Sequence, residues 1–188
     1  MKKNSMRVKA LAIAAGLAAF SAVTQLIHVG YQSPQFGMWI DIVAVTWIIT
    51  YLLFGVRMAT LVSLVGALII TLFAPDTWLG AGMKWVASAP TFLIMALFIK
   101  VFKKPLSFYA KPKNLVLPMI TAIVVRCLLV IPINYYYAIP IWTGMTPDKA
   151  MAAIPWYIIA LFNIVQALVD ITIAWILVYR FKLKKFAD

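Results

Sequence analysis

The chain has 188 residues, of which 65% are hydrophobic and 12% charged, with a mean hydropathy of +0.98. Those values lie outside the range of water-soluble globular domains and place the polypeptide in a bilayer. Six spans of about 20 residues would use most of the chain, which leaves no room for an ATPase or a large catalytic domain outside the membrane. The net charge of +12 does not indicate nucleic acid, because the basic residues are scattered over short connections between apolar runs. The lone Cys127 cannot form an intrachain disulfide.

Apolar runs bounded by charges, Gly and Pro predict an all-α integral membrane protein. It is expected to form one membrane domain of six helices near 8–29, 39–55, 57–74, 83–102, 114–139 and 151–180. The first run follows Lys2, Lys3 and Arg7 like a signal peptide, but it is long and more runs follow, so it reads as a retained helix. Six spans put Lys2, Lys3, Arg7, Lys9, Arg57, Lys100, Lys103, Lys104, Lys111, Lys113, Arg180, Lys182, Lys184 and Lys185 on one face, leaving only Lys84, Arg126 and Lys149 elsewhere. The positive-inside rule then makes both termini cytoplasmic. Thr146 and Pro147 form an N-cap and first-turn signal for a short outer helix before the sixth span.

Polar residues inside the bilayer are costly, and their depth is informative. Counting 1.5 Å per residue from the cytoplasmic anchors puts Gln25, His28, Asp41, Lys84, Asn134, Asn163 and Gln166 roughly 20 to 30 Å up. A polar pocket open to the outside follows, with Trp39, Trp47, Trp78, Trp85, Tyr135, Tyr136, Tyr137, Trp142, Trp156 and Tyr157 near the same end. An interfacial aromatic belt is the competing reading for each ring. Residues 28–38, with Gly30, Pro34 and Gly37, are placed to act as a lid. Arg126 and Asp170 lie deeper, about 18 and 15 Å from the cytoplasmic boundary, and are expected to form a buried ion pair, with ligand binding by Arg126 as the alternative. Lys84 is placed either to meet a ligand carboxylate or phosphate or to snorkel to the interface, with Asp41 and Asp76 as its acidic neighbours.

Metalloprotease, P-loop and nucleophile motifs are absent, so an enzyme is not expected, nor a cofactor or metal. A small ligand-binding membrane subunit fits best. Two other readings are a membrane scaffold without ligand and an autonomous proton-coupled carrier using Asp170 and Arg126.

The small residues Ala14 and Ala18, the Leu53-Phe54-Gly55 turn and Asp41 resemble the substrate-binding S components of energy-coupling factor (ECF) vitamin transporters. Ile133-Asn134-Tyr135-Tyr136 and Phe162-Asn163-Ile164-Val165-Gln166 are similar to the N-Y-F and F-N-I-x-K stretches of riboflavin-binding members. The resemblance implies a six-helix fold and a vitamin site formed by Asn134, Asn163, Gln166, Lys84, Asp41, Trp85 and Tyr135. It also implies docking through Ala14 and Ala18, or in the adjacent frame through Ala15 and Ala19, on a transmembrane coupling subunit driven by two ATPases. The chain departs from those stretches where Gln166 replaces the lysine, where Lys84 stands at an asparagine position, and where Ala44 and Thr46 interrupt an Asp-x-Pro pattern. Riboflavin is the expected ligand, with an anionic vitamin such as pantothenate or a folate as the alternative, its carboxylate pairing with Lys84 or Arg126.

Overall fold

The computed structural model describes residues 2–27, 30–33, 36, 38–73 and 78–186. His28, Pro34, Gly37 and Asp76 lie outside the described residues. In chain order the elements are α1 (Lys2–Leu26), β1 (Gly30–Gln32), β2 (Trp39–Asp41), α2 (Val43–Phe54), α3 (Val56–Phe73), α4 (Trp78–Val101), α5 (Lys113–Ile133), α6 (Ile139–Thr143), α7 (Pro147–Ala153) and α8 (Trp156–Trp175). A π-helical turn over Asn134–Ala138 joins α5 to α6, and another over Ile176–Arg180 continues α8. An apolar solvent offers backbone groups no partners, so the chain satisfies them within helices.

Among the described residues, four stretches are long and apolar enough to cross a membrane: Val8–Gln25, Trp78–Val101, Lys113–Thr143 and Trp156–Arg180. The apolar helices Val43–Phe54 and Val56–Leu72 are shorter. The protein is therefore a multi-pass, largely helical membrane protein.

The hydrophobic pattern explains which helix lies at the centre. Val43 to Leu52 carry no polar face, and all ten are buried, packed by α1, α3, α4 and α8. The hydroxyls of Thr46 and Thr50 bond back to Val43 O and Thr46 O at 2.8 Å each, which lets polar side chains lie inside an apolar core. Trp47 Nε1 donates to Ser21 Oγ at 2.9 Å and ties α2 to α1.

Two glycines are required by geometry. Gly55 alone separates α2 from α3, at φ +87° and ψ −179°, a backbone region open essentially only to glycine. Gly30 pairs with Asp41 across the hairpin, where an added Cβ would collide with the carbonyl oxygen of Ile40.

The second expected segment, 39–55, divides in the structure. Trp39–Asp41 is a strand, and the helix begins at Val43, whose N–H is accepted by Asp41 Oδ1 at 2.9 Å. The sixth, 151–180, also divides: α7 runs from Pro147 to Ala153, and Pro155 separates it from α8 because proline does not continue a preceding helix. The fourth begins five residues earlier than expected, at Trp78 rather than 83.

Candidate functional site

The end of α1, the end of α3, the start of α4, the end of α5 and the start of α8 converge around a cavity of about 540 Å³. Both chain termini lead away from it, because α1 ends there and α8 starts there. Helix periodicity builds each wall: Gly80, Met83, Lys84 and Ala87 on α4 and Ile159, Phe162, Asn163 and Gln166 on α8 follow i, i+3, i+4, i+7 spacing. Arg126, Val130 and Asn134 follow at i, i+4, i+8. Pro132 in α5 cannot donate to the carbonyl four residues back, and a wider turn follows over Asn134–Ala138. Phe36, Met38, Trp39 and Trp142 add an apolar rim. The volume falls within the usual range for small-molecule sites.

A chain of polar side chains forms the floor. Lys84 Nζ forms an ion pair with Asp41 Oδ2. Gln166 grips the backbone of Asp41 at both groups: its Oε1 accepts from Asp41 N at 2.8 Å and its Nε2 donates to Asp41 O at 2.8 Å. The same Nε2 donates to Asp170 Oδ1 at 2.8 Å. Arg126 Nε donates to Asn163 Oδ1 at 2.8 Å, and Asn163 Nδ2 donates to Ile159 O at 2.8 Å. Asn134 Nδ2 donates to Val130 O at 2.9 Å, so its carbonyl oxygen and second amide hydrogen remain for the cavity.

Arg126 and Asp170 do come together. Nη1 and Oδ2 are 3.7 Å apart, within Coulombic reach and beyond a hydrogen bond, and both atoms are buried without a partner. The two bases Lys84 and Arg126 face the two acids Asp41 and Asp170, so the formal charge of this floor is zero. Gln25 also lines the cavity, and its Oε1 is buried without a partner.

Of the residues expected at the site, Asn134, Asn163, Gln166, Lys84 and Asp41 line this cavity together, and Arg126 joins them. Gln166 lines the cavity and also braces the hairpin: both its amide hydrogens go to Asp41 O and Asp170 Oδ1, and its Oε1 accepts from Asp41 N with one lone pair to spare. Trp85 and Tyr135 do not line the cavity. Trp85 Nε1 donates to Ser63 Oγ on α3 at 3.1 Å, and Tyr135 OH donates to Ile154 O at 2.7 Å behind the wall. Trp78, Tyr136, Tyr137, Trp156 and Tyr157 are exposed on the outside of the bundle, as an interfacial belt would be.

The small-residue stripe divides between two faces of α1. Ala14 and Ala18 are 3% and 5% exposed and belong to the core around α2. Ala15 and Ala19, one position on, are exposed. The sequence reading assigned no role to Met83, Ile159 or Phe162, although the spacing around Lys84 and Asn163 carries that signal.

A ligand-sized cavity, open on one side, lies at one end of this multi-pass helical bundle. No family model and no curated protein matches the chain. Among solved structures, the fold matches one described as the S component of a bacterial ECF transporter, with a TM-score of 0.73 and 25% sequence identity. The likeness covers 96% of this chain and 98% of that one, so it extends to the whole bundle.

Proposed function

We propose that the protein is the substrate-binding subunit of an ATP-driven vitamin uptake transporter in a prokaryotic plasma membrane, with riboflavin as its ligand. It crosses the bilayer six times with both termini cytoplasmic, and the cavity faces outward. It contributes no catalysis and depends on a transmembrane coupling subunit carrying two ATPases. The outward face of α1, with Ala15 and Ala19, is the docking surface.

The observation that carries this reading is the charge-balanced polar floor beneath an apolar, partly aromatic rim, in a fold that matches an S component over nearly its whole length. A tricyclic, uncharged vitamin suits such a cavity: rings pack on Trp39, Trp142 and Phe162, and Asn134 offers an acceptor and a donor. An anionic vitamin would place a third negative charge beside the balanced pairs Lys84–Asp41 and Arg126–Asp170.

The test is to purify the protein from cells grown in rich medium, denature it, and identify the released molecule by absorbance and mass spectrometry. A flavin is the expected result. A carboxylate vitamin would move recognition to Lys84 and Arg126, and a preparation that is empty and that no vitamin stabilises would overturn the reading in favour of a scaffold.

A further inference from the structure

Arg126 is 3% exposed and carries five N–H donors, yet only Nε meets an acceptor, Asn163 Oδ1. Asp170 Oδ2 balances its charge from 3.7 Å without taking a hydrogen bond, and Nη1 is buried with no partner. A guanidinium in that state is costly unless something else accepts from it, and Arg126 is in the cavity wall. Asn163 holds the guanidinium at one edge and is itself held by Ile159 O, so the direction of the free donors is fixed before any ligand arrives.

The formal charges around Arg126 decide what kind of acceptor fits. Asp170 already offsets it, and Asp41 lies on the same floor, bridged to Asp170 through Gln166. Lys84 and Arg126 already balance the two carboxylates, so an anion entering here would add an unbalanced charge, whereas a neutral carbonyl oxygen gains a charge-assisted bond and adds none.

We propose that Arg126 is a specificity-determining residue that donates to a ring carbonyl of an uncharged heteroaromatic ligand. The inference rests on the vitamin-binding reading given above and assigns the cation that recognises the ligand. Arg126 in this role is a recognition residue, and its pair with Asp170 sets its charge balance.

The experiment is a double-mutant cycle between the side chain and the ligand. Affinities of the full-length protein in detergent are measured for riboflavin and for its two analogues in which one ring carbonyl is replaced by a thiocarbonyl, a weaker acceptor. In the unaltered protein one of the two replacements weakens binding by about tenfold. In the charge-neutral double variant Arg126→Met with Asp170→Asn, the same replacement changes affinity by less than about twofold, because no donor remains at position 126. If that variant does not fold, Arg126→Leu with Asp170→Asn, which likewise leaves no donor at position 126, carries the same cycle. An equal thiocarbonyl penalty with and without Arg126, or no penalty in the unaltered protein, overturns the inference while riboflavin binding itself stands. Absence of riboflavin binding to the unaltered protein is a different result, and it removes the vitamin reading together with this one.

Discussion

The two ends of the bundle handle their buried polar groups in different ways. At the end that holds the termini, side chains bond to backbone carbonyls of the connecting segments. Tyr109 OH donates to Met95 O at 2.7 Å, Trp175 Nε1 to Tyr109 O at 2.8 Å, Tyr179 OH to Leu106 O at 3.1 Å, and Asn114 Nδ2 to Phe108 O at 2.7 Å. Tyr51, Phe92 and Tyr109 pack their rings at 6.5 Å around that point. At the cavity end side chains also pair with one another, Lys84 with Asp41, Arg126 with Asn163 and Gln166 with Asp170, and Arg126, Asp170 and Gln25 keep atoms without partners, as the Tyr51 hydroxyl does at the other end. The first arrangement fixes a structure; the second leaves bonding capacity for a molecule that is not part of the chain.

The largest expected effect separates the two ends by stability. Tyr109→Ala removes a fully buried ring and its hydrogen bond, and should cost about 3–5 kcal/mol in unfolding free energy measured in detergent. Ligand affinity of the folded fraction should stay within about twofold. Gln166→Leu at the opposite end should lose about 3 kcal/mol, because it strips partners from Asp41 N, Asp41 O and Asp170 at once, and it should abolish binding as well. If binding survives Gln166→Leu, the hairpin does not depend on that clamp.

Smaller effects sharpen the contrast between faces of one helix. Ala18→Trp overpacks the core and should lower stability by about 1–3 kcal/mol, read as a lowered thermal midpoint. Ala19→Trp should leave stability and ligand binding unchanged while abolishing vitamin uptake by whole cells. Equal loss of stability in both variants would place the two positions on the same packed face.

The smallest effect is in alkali. Burial first, and then the neighbouring Tyr179 hydroxyl, push the Tyr109 phenol well above its ordinary value of 10.0. The folded state then holds this proton more tightly than the unfolded chain, so the associated stability is present below pH 10 and declines as pH rises beyond it. Tyr109→Phe should flatten the fall in thermal midpoint above pH 10, and an unchanged slope would assign the alkaline loss to other groups.

Much of this was legible without the structure. Membrane residence follows from composition, and the polar positions Asp41, Lys84, Asn134, Asn163 and Gln166 stood out because each is expensive in a bilayer. Matched depth also paired Arg126 with Asp170. Where Trp85 and Tyr135 turn was not legible, because depth along a helix says nothing about direction around it; their polar atoms bond to Ser63 and Ile154.

The sequence by itself determined the medium, the helical character and the level at which polar groups collect, since these depend on local composition and on a fixed rise per residue. Tertiary structure alone decided which polar atoms are already satisfied. Gln166 finds Asp41 across 125 residues, and that contact turns an apparent ligand donor into a brace. It also decided that Ala14 and Ala18 face inward and Ala15 and Ala19 outward, a rotation of about 100° that no local pattern fixes, because the inward face is set by the helices packed against it.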